Sequence, residues 1–114
     1  MKDCLFCRIA QKEVPALVVF EDETVLAFRD IHPQAPVHLL LIPKKHIRNM
    51  DALEPGDAAV LDRLMEVARD LAREHGVAQG GYRLLTNTNG DAGQSIWHLH
   101  FHLLGGRQLG WPPG

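Results

Sequence analysis

Three histidines set two residues apart, His98, His100 and His102, carry the densest chemistry in the chain. They sit in the run Gln94-Ser95-Ile96-Trp97-His98-Leu99-His100-Phe101-His102-Leu103-Leu104, alternating with Leu99, Phe101 and Leu103. Side chains of a β-strand point to opposite faces with a period of two. Read as a strand, the run puts the imidazoles on one face, about 6.6 Å apart, and the apolar residues on the other. A neutral imidazole acts near pH 7 as base, nucleophile or metal ligand. Solvated strand faces ordinarily use Lys, Glu, Thr or Ser, so this face points to a site. Spacing alone leaves open a metal site built on the three rings, because two histidines of an H-x-H strand can bind one zinc.

Two other groups of residues bear on that chemistry. The loop Asn89-Gly90-Asp91-Ala92-Gly93 runs into the histidine segment. Gly90 and Gly93 allow backbone N–H groups to approach an anion, and Gln94 and Ser95 add neutral donors, which together resemble a phosphate seat. Cys4 and Cys7 form a Cys-x-x-Cys pair. The N-terminal stretch has no charged-then-apolar signal pattern, so a cytoplasmic, reducing location is expected, with thiols or ligands there rather than a disulfide.

These residues need elements to position them. Asp3 suits the N-cap of a short helix over Leu5, Phe6, Ile9 and Ala10. Residues 16–21 and 24–29 read as a hairpin about Asp22-Glu23, and 37–42 as a strand buried on both faces. Pro55 opens the one long helix, with Glu54 and Asp57 at its N-terminal end. Its apolar stripe is Leu61, Leu64, Met65, Ala68, Leu71 and Ala72, and Gly76 is a C-terminal cap. Residues 81–88 and the histidine run complete the strands. The expectation is an α+β domain with an antiparallel sheet. With 114 residues the chain has room for one domain, 1–114, and 46% hydrophobic residues suffice for one core. A formal charge of -2 gives no basic footprint for a nucleic acid polymer, and no apolar run approaches a membrane span.

The histidine run resembles the signature of the histidine-triad (HIT) superfamily, His-φ-His-φ-His-φ-φ, where φ is apolar. Likeness extends along the chain through Phe28-Arg29-Asp30-Ile31, Gln34-Ala35-Pro36-Val37-His38, Pro43-Lys44-Lys45-His46, Gly105-Gly106-Arg107-Gln108 and Trp111-Pro112-Pro113-Gly114. These segments resemble the Hint branch of purine nucleoside phosphoramidases. The resemblance implies a five-stranded antiparallel sheet with one long helix and a short N-terminal helix, the sheets joined across a homodimer. It implies cleavage of the P–N bond of purine nucleoside 5′-phosphoramidates, AMP- or GMP-type, through a nucleotidyl-histidine intermediate.

Residue by residue, the resemblance implies His100 as nucleophile and His102 as phosphate donor. The main chain of His98 accepts from the nucleophile's ring, Ser95 positions phosphate or protonates the leaving nitrogen, and His38 supports the central histidine. Asp30 matches the ribose carboxylate. Phe6, Val14, Phe28 and Ile31 match positions around the base, and Asn87, Gly93 and Gln94 match positions near phosphate or ribose. Trp111, in the tail 105–114, matches a residue reaching toward the partner's site, although Leu109-Gly110 before it departs from animal relatives. Relatives with a Cys-x-x-Cys hold structural zinc, which implies Cys4, Cys7, His46 and His98 as ligands and no organic cofactor. A dinucleoside polyphosphate hydrolase and a purine-nucleotide-binding interaction protein are the competing readings.

Overall fold

The computed structural model describes residues 3–114. Five strands, β1 (Val18–Glu21), β2 (Val25–Arg29), β3 (Val37–Pro43), β4 (Tyr82–Leu85) and β5 (Phe101–Gly105), form one antiparallel sheet in the order β1-β2-β3-β5-β4. Among the described residues two α-helices accompany it, α1 (Leu5–Ala10) and α2 (Ala58–Glu74). No helix among the described residues is long and apolar enough to cross a membrane.

β3 is central because it can be buried on both sides: Leu39, Leu41 and Ile42 are fully buried, and Leu40 nearly so. Alternation along the strands then divides the molecule in two. Leu39 and Leu41 join Val25, Ala27, Leu99, Phe101 and Leu103 against the stripe of α2, whose buried residues are Leu64, Val67, Ala68, Leu71 and Ala72. Leu40 and Ile42 join Leu26 and Phe28 on the opposite face, covered by Phe6 and Ile9 of α1. Each face is therefore closed by its own helix. His38 and His102 project on the α1 side, because His38 is two residues from Leu40 and His102 pairs with Leu40.

Helix ends follow the expected chemistry with two adjustments. α1 is capped by Cys4 rather than Asp3, its Sγ accepting from the Cys7 N–H at 3.4 Å. A 3-10 turn over Pro55–Asp57 precedes α2, and Asp57 accepts from the Glu54 N–H at 3.0 Å. Gly76 follows α2 at φ 74°, the left-handed position where glycine carries no steric cost. Gly105 is required for a different reason: a Cβ there would lie 2.8 Å from Cβ of Val77.

The histidine strand is shorter than its periodicity predicts. β5 begins at Phe101, and His98 to His100 lie in the irregular segment before it. The register that pairs Leu41 with Phe101 would set Leu99 opposite Pro43, which has no N–H to continue the ladder. Other groups take over. The Leu99 N–H donates to the Ile47 carbonyl at 2.6 Å, and the Pro43 carbonyl accepts from the His98 ring. β4 likewise ends at Leu85, short of the predicted residue 88.

Candidate functional site

The histidine segment is held on all sides by main-chain groups, and these contacts determine where each imidazole keeps its proton. Nδ1 of His100 is 2.7 Å from the His98 carbonyl, which can only accept. Nδ1 therefore carries the hydrogen, leaving Nε2 with a free lone pair. The Thr86 hydroxyl donates to the His100 carbonyl at 2.7 Å and fixes the backbone beneath this ring. Phe6 meets the ring edge-on, with centroids 5.0 Å apart. Burial pushes the His100 pKa below the ordinary imidazole value, which favours the neutral form.

His102 is set by a chain of donors. The Gln34 N–H donates to Nδ1 of His38 at 3.0 Å, so neutral His38 bears its proton on Nε2. That nitrogen lies 2.9 Å from Nδ1 of His102 and 3.4 Å from Oδ2 of Asp30. His102 thus accepts at Nδ1 and presents Nε2–H outward as a donor. Burial, with His100 and His38 alongside, lowers the His102 pKa to about 4. His38 supports the third histidine of the run rather than the central one, because the sheet register sets it diagonal to His102. Although Asp30, His38 and His102 bring ligand-type atoms within 4.8 Å of one another, His38 Nε2 is a donor here, its one hydrogen going to His102 with the Asp30 carboxylate as a charged neighbour.

His98 faces the other way. Its Nε2 donates to the Pro43 carbonyl at 2.8 Å, directing Nδ1 toward Cys4 Sγ at 3.3 Å, Cys7 Sγ at 3.4 Å and His46 Nδ1 at 3.3 Å. Cys7 Sγ is also 3.3 Å from His46 Nδ1. A tetrahedral ion with thiolate and imidazole ligands needs sulfur–nitrogen separations of about 3.5 Å. The four side chains meet that requirement and could hold a metal ion. Burial lowers the His98 pKa to about 4, which keeps the ring neutral, as a ligand must be. Burial next to Cys4 raises the Cys7 thiol, a cost that a bound cation would reverse.

A cleft of about 430 Å³ opens between α1 and the start of the loop after β2. Phe6, Val14, Phe28, Asp30, Ile31 and Ser95 line it. The four apolar residues matched to a base and the carboxylate matched to a ribose are thereby brought together. Ile31 is 80% exposed, a large apolar side chain standing over an open cleft. Asp30 Oδ1 accepts from the His32 N–H at 2.8 Å, which orients the carboxylate. Ser95 is exposed and borders a second cavity of about 400 Å³, where the Arg48 guanidinium lies 4.6 Å above the Trp97 ring.

The other expected residues are placed differently. Asn87 is half-buried in the connection after β4, and Gly93 turns the next loop at φ 85°. Gln94 is buried and directs its amide inward, away from the cleft. Trp111 is 83% exposed in a tail tied back by Arg83, which donates to the Gly110 carbonyl at 2.9 Å, and it lines neither cavity. Thr86 and Asn49 had no sequence signal, since their partners are remote in the chain or belong to the backbone.

Comparison with known proteins agrees with this geometry. The model of the HIT domain matches residues 11–109. This chain belongs to the HIT family. An uncharacterised HIT-like protein of Synechocystis is 45% identical over 113 residues, covering 99% of this chain and 98% of that protein. A HIT family hydrolase from Legionella pneumophila superposes with a TM-score of 0.97 at 54% identity, covering 98% of this chain and all of that one. A histidine triad nucleotide-binding protein from Candida albicans gives 0.83 at 31% identity, covering 96% and 83% respectively. The HIT fold, with its five-stranded sheet, long helix and short N-terminal helix, is thus shared along nearly the whole length.

Proposed function

We propose that this HIT domain is a nucleotide-binding hydrolase that cleaves the P–N bond of purine nucleoside 5′-phosphoramidates. The observation that carries the reading is the 2.7 Å contact between His100 Nδ1 and the His98 carbonyl. It leaves His100 Nε2 unprotonated in a ring packed on Phe6, a wall of the cleft. The Nε2 lone pair attacks the α-phosphorus, forming an N–P bond as the bond to the amine breaks. The departing nitrogen takes a proton, with Ser95 at the mouth of the cleft as the donor or positioning group. Water then attacks the same phosphorus, His100 leaves with its lone pair restored, and the proton released by water replaces the one taken by the departing nitrogen. His102 Nε2–H donates to a phosphoryl oxygen as negative charge develops.

Phe6, Val14, Phe28 and Ile31 take the purine, and the carboxylate of Asp30 accepts from the ribose hydroxyls. By the family resemblance Asn87, Gly93 and Gln94 belong to the phosphate side, the N–H groups of Gly93 and Gln94 shaping the turn before Ser95 by bonding the Gly90 and Asn89 carbonyls. Cys4, Cys7, His46 and His98 would hold zinc, whose closed ligand set serves structure and leaves no position for substrate. The protein acts as a homodimer, in which Trp111 of the tail reaches the partner's site. The chain works as one domain, 1–114, in the cytoplasm.

The test is AMP release from adenosine 5′-phosphoramidate by the protein and by His100→Ala. Turnover by the first and its loss in the second is expected. Equal rates would remove His100 as nucleophile, and nucleotide binding without turnover would leave a binding protein.

A further inference from the structure

Among the described residues six polar or charged side chains are buried: His38, His98, His100, Asp57, Asn49 and Gln94. The histidines belong to the site and Asp57 to the start of α2. Asn49 and Gln94 remain, at 3% and 7% exposure, and they bond to each other.

Their amides interlock through Asn49 Nδ2 and Gln94 Oε1. Gln94 Oε1 accepts from the Asn89 N–H at 2.9 Å and from Asn49 Nδ2 at 3.0 Å. Gln94 Nε2 donates to the Arg48 carbonyl at 3.0 Å and to the Ile96 carbonyl at 3.1 Å. Asn49 Nδ2 gives its second hydrogen to Asn89 Oδ1 at 3.0 Å. The backbone partners settle which end of Gln94 is oxygen, because an N–H meets one end and two carbonyls meet the other. Every hydrogen-bonding position of the Gln94 side chain is in use. It has nothing left to give a ligand, and its effect is to hold the chain around it.

What it holds is the turn that ends at Ser95. Asn89 lies at one end of the glycine turn and Ile96 just past the other, and both are bonded to the same side chain. Asn89 sits at φ 67°, an uncommon conformation for a residue with a side chain. Gly93 at φ 85° and the Gln94 N–H, which donates to the Asn89 carbonyl at 3.1 Å, complete the bend. The anchor is Asn49, which enters from the segment after β3, 40 residues earlier than Asn89.

We infer that Asn49 is a positioning residue for the phosphate seat, acting through Gln94 and Asn89 on the stretch 89–96. The inference rests on the nucleotide reading given above. Preorganised donors help a phosphate only when they do not move to meet it. Asn49→Asp keeps shape and volume but replaces the two N–H donors of Nδ2 with one acceptor oxygen facing Asn89 Oδ1 and Gln94 Oε1, which breaks both bonds.

The experiment measures AMP and adenosine binding by calorimetry, on the full chain and on Asn49→Asp. Adenosine uses the cleft without the seat, so the ratio of the two affinities reports the seat alone. The ratio is expected to fall by about tenfold in Asn49→Asp, with adenosine affinity little changed. Asn89→Gly removes the side-chain acceptor at a position whose backbone suits glycine, and a smaller fall in the same direction is expected. It carries the test if Asn49→Asp does not fold. An unchanged ratio in the variants, or adenosine weakening in step with AMP, would overturn the inference and leave nucleotide binding intact. A wild-type chain that binds neither ligand would overturn the nucleotide reading, and this inference with it.

Discussion

The main-chain carbonyl of His98 and Nδ1 of His100, 2.7 Å apart, tie the His100 ring to the backbone of a residue whose own ring faces Cys4, Cys7 and His46. Aim and anchorage are thus properties of adjacent atoms. Replacing His100 by alanine should lower phosphoramidate turnover by about a thousandfold or more while nucleotide still binds. Steady-state rates combined with a binding isotherm check this, and a variant that loses both together would point to a collapsed cleft instead.

Metal removal should be felt at the same ring. Protein purified without chelator is expected to carry one zinc per chain, and Cys7→Ser to carry little. Because His98 belongs to both groups, stripping the metal should lower the unfolding temperature and reduce turnover by about tenfold. Elemental analysis alongside thermal melts decides it. Identical melts before and after chelation, with freely reactive thiols in both, would count against the site.

Asp30 offers a sharper test of the nucleoside side. Its removal as Asp30→Asn should weaken AMP about tenfold, in keeping with a hydrogen bond to a charged acceptor. The 2′-deoxy and 3′-deoxy nucleotides should lose affinity for the wild type and lose little more for the variant. Full additivity of the two changes would mean that Asp30 and the ribose do not meet.

Acid should destabilise the fold through His102. Its folded pKa, held at about 4 by burial, lies below the ordinary imidazole value of 6.5. Between those values the unfolded chain binds the extra proton, so stability falls as pH drops through this window. At constant metal content, melting temperatures of the wild type should decline from pH 7 to pH 4.5 more steeply than those of His102→Gln. Parallel declines would assign the acid sensitivity to other groups.

A packing prediction concerns Gly105. Gly105→Ala would force its Cβ to 2.8 Å from Cβ of Val77 and should cost about 1–3 kcal/mol. Combining it with Val77→Ala should recover part of that loss in denaturant unfolding. No recovery would mean that the strain is relieved elsewhere.

Much of this fold was legible because alternation is a local property. His98, Leu99, His100, Phe101, His102 and Leu103 declare two faces, and the apolar stripe of α2 declares a third surface that must meet one of them. What remained hidden depends on pairing between remote segments. That His38 serves His102 follows from the β3–β5 register, which no local pattern specifies. β5 starts late because Pro43, more than fifty residues away, lacks an N–H. Gln94 looked like a ligand donor because its environment, 45 residues back at Asn49, is invisible in the run that contains it. The cap on α1 shifted from Asp3 to Cys4 because a thiol too can accept from an unpaired first-turn N–H, here that of Cys7.

The division of the sheet into an α2 face and an α1 face has a consequence for folding fidelity. Along β5, Phe101 and Leu103 belong to one side and His102 to the other. A slip of one residue would drive imidazole under α2 and turn leucine toward the cleft. The penalty for that error falls on the hydrophobic core at once, before any substrate is met. Alignment of the histidines is thereby proofread by burial, and a chain that reaches this fold has already set His102 on the cleft side.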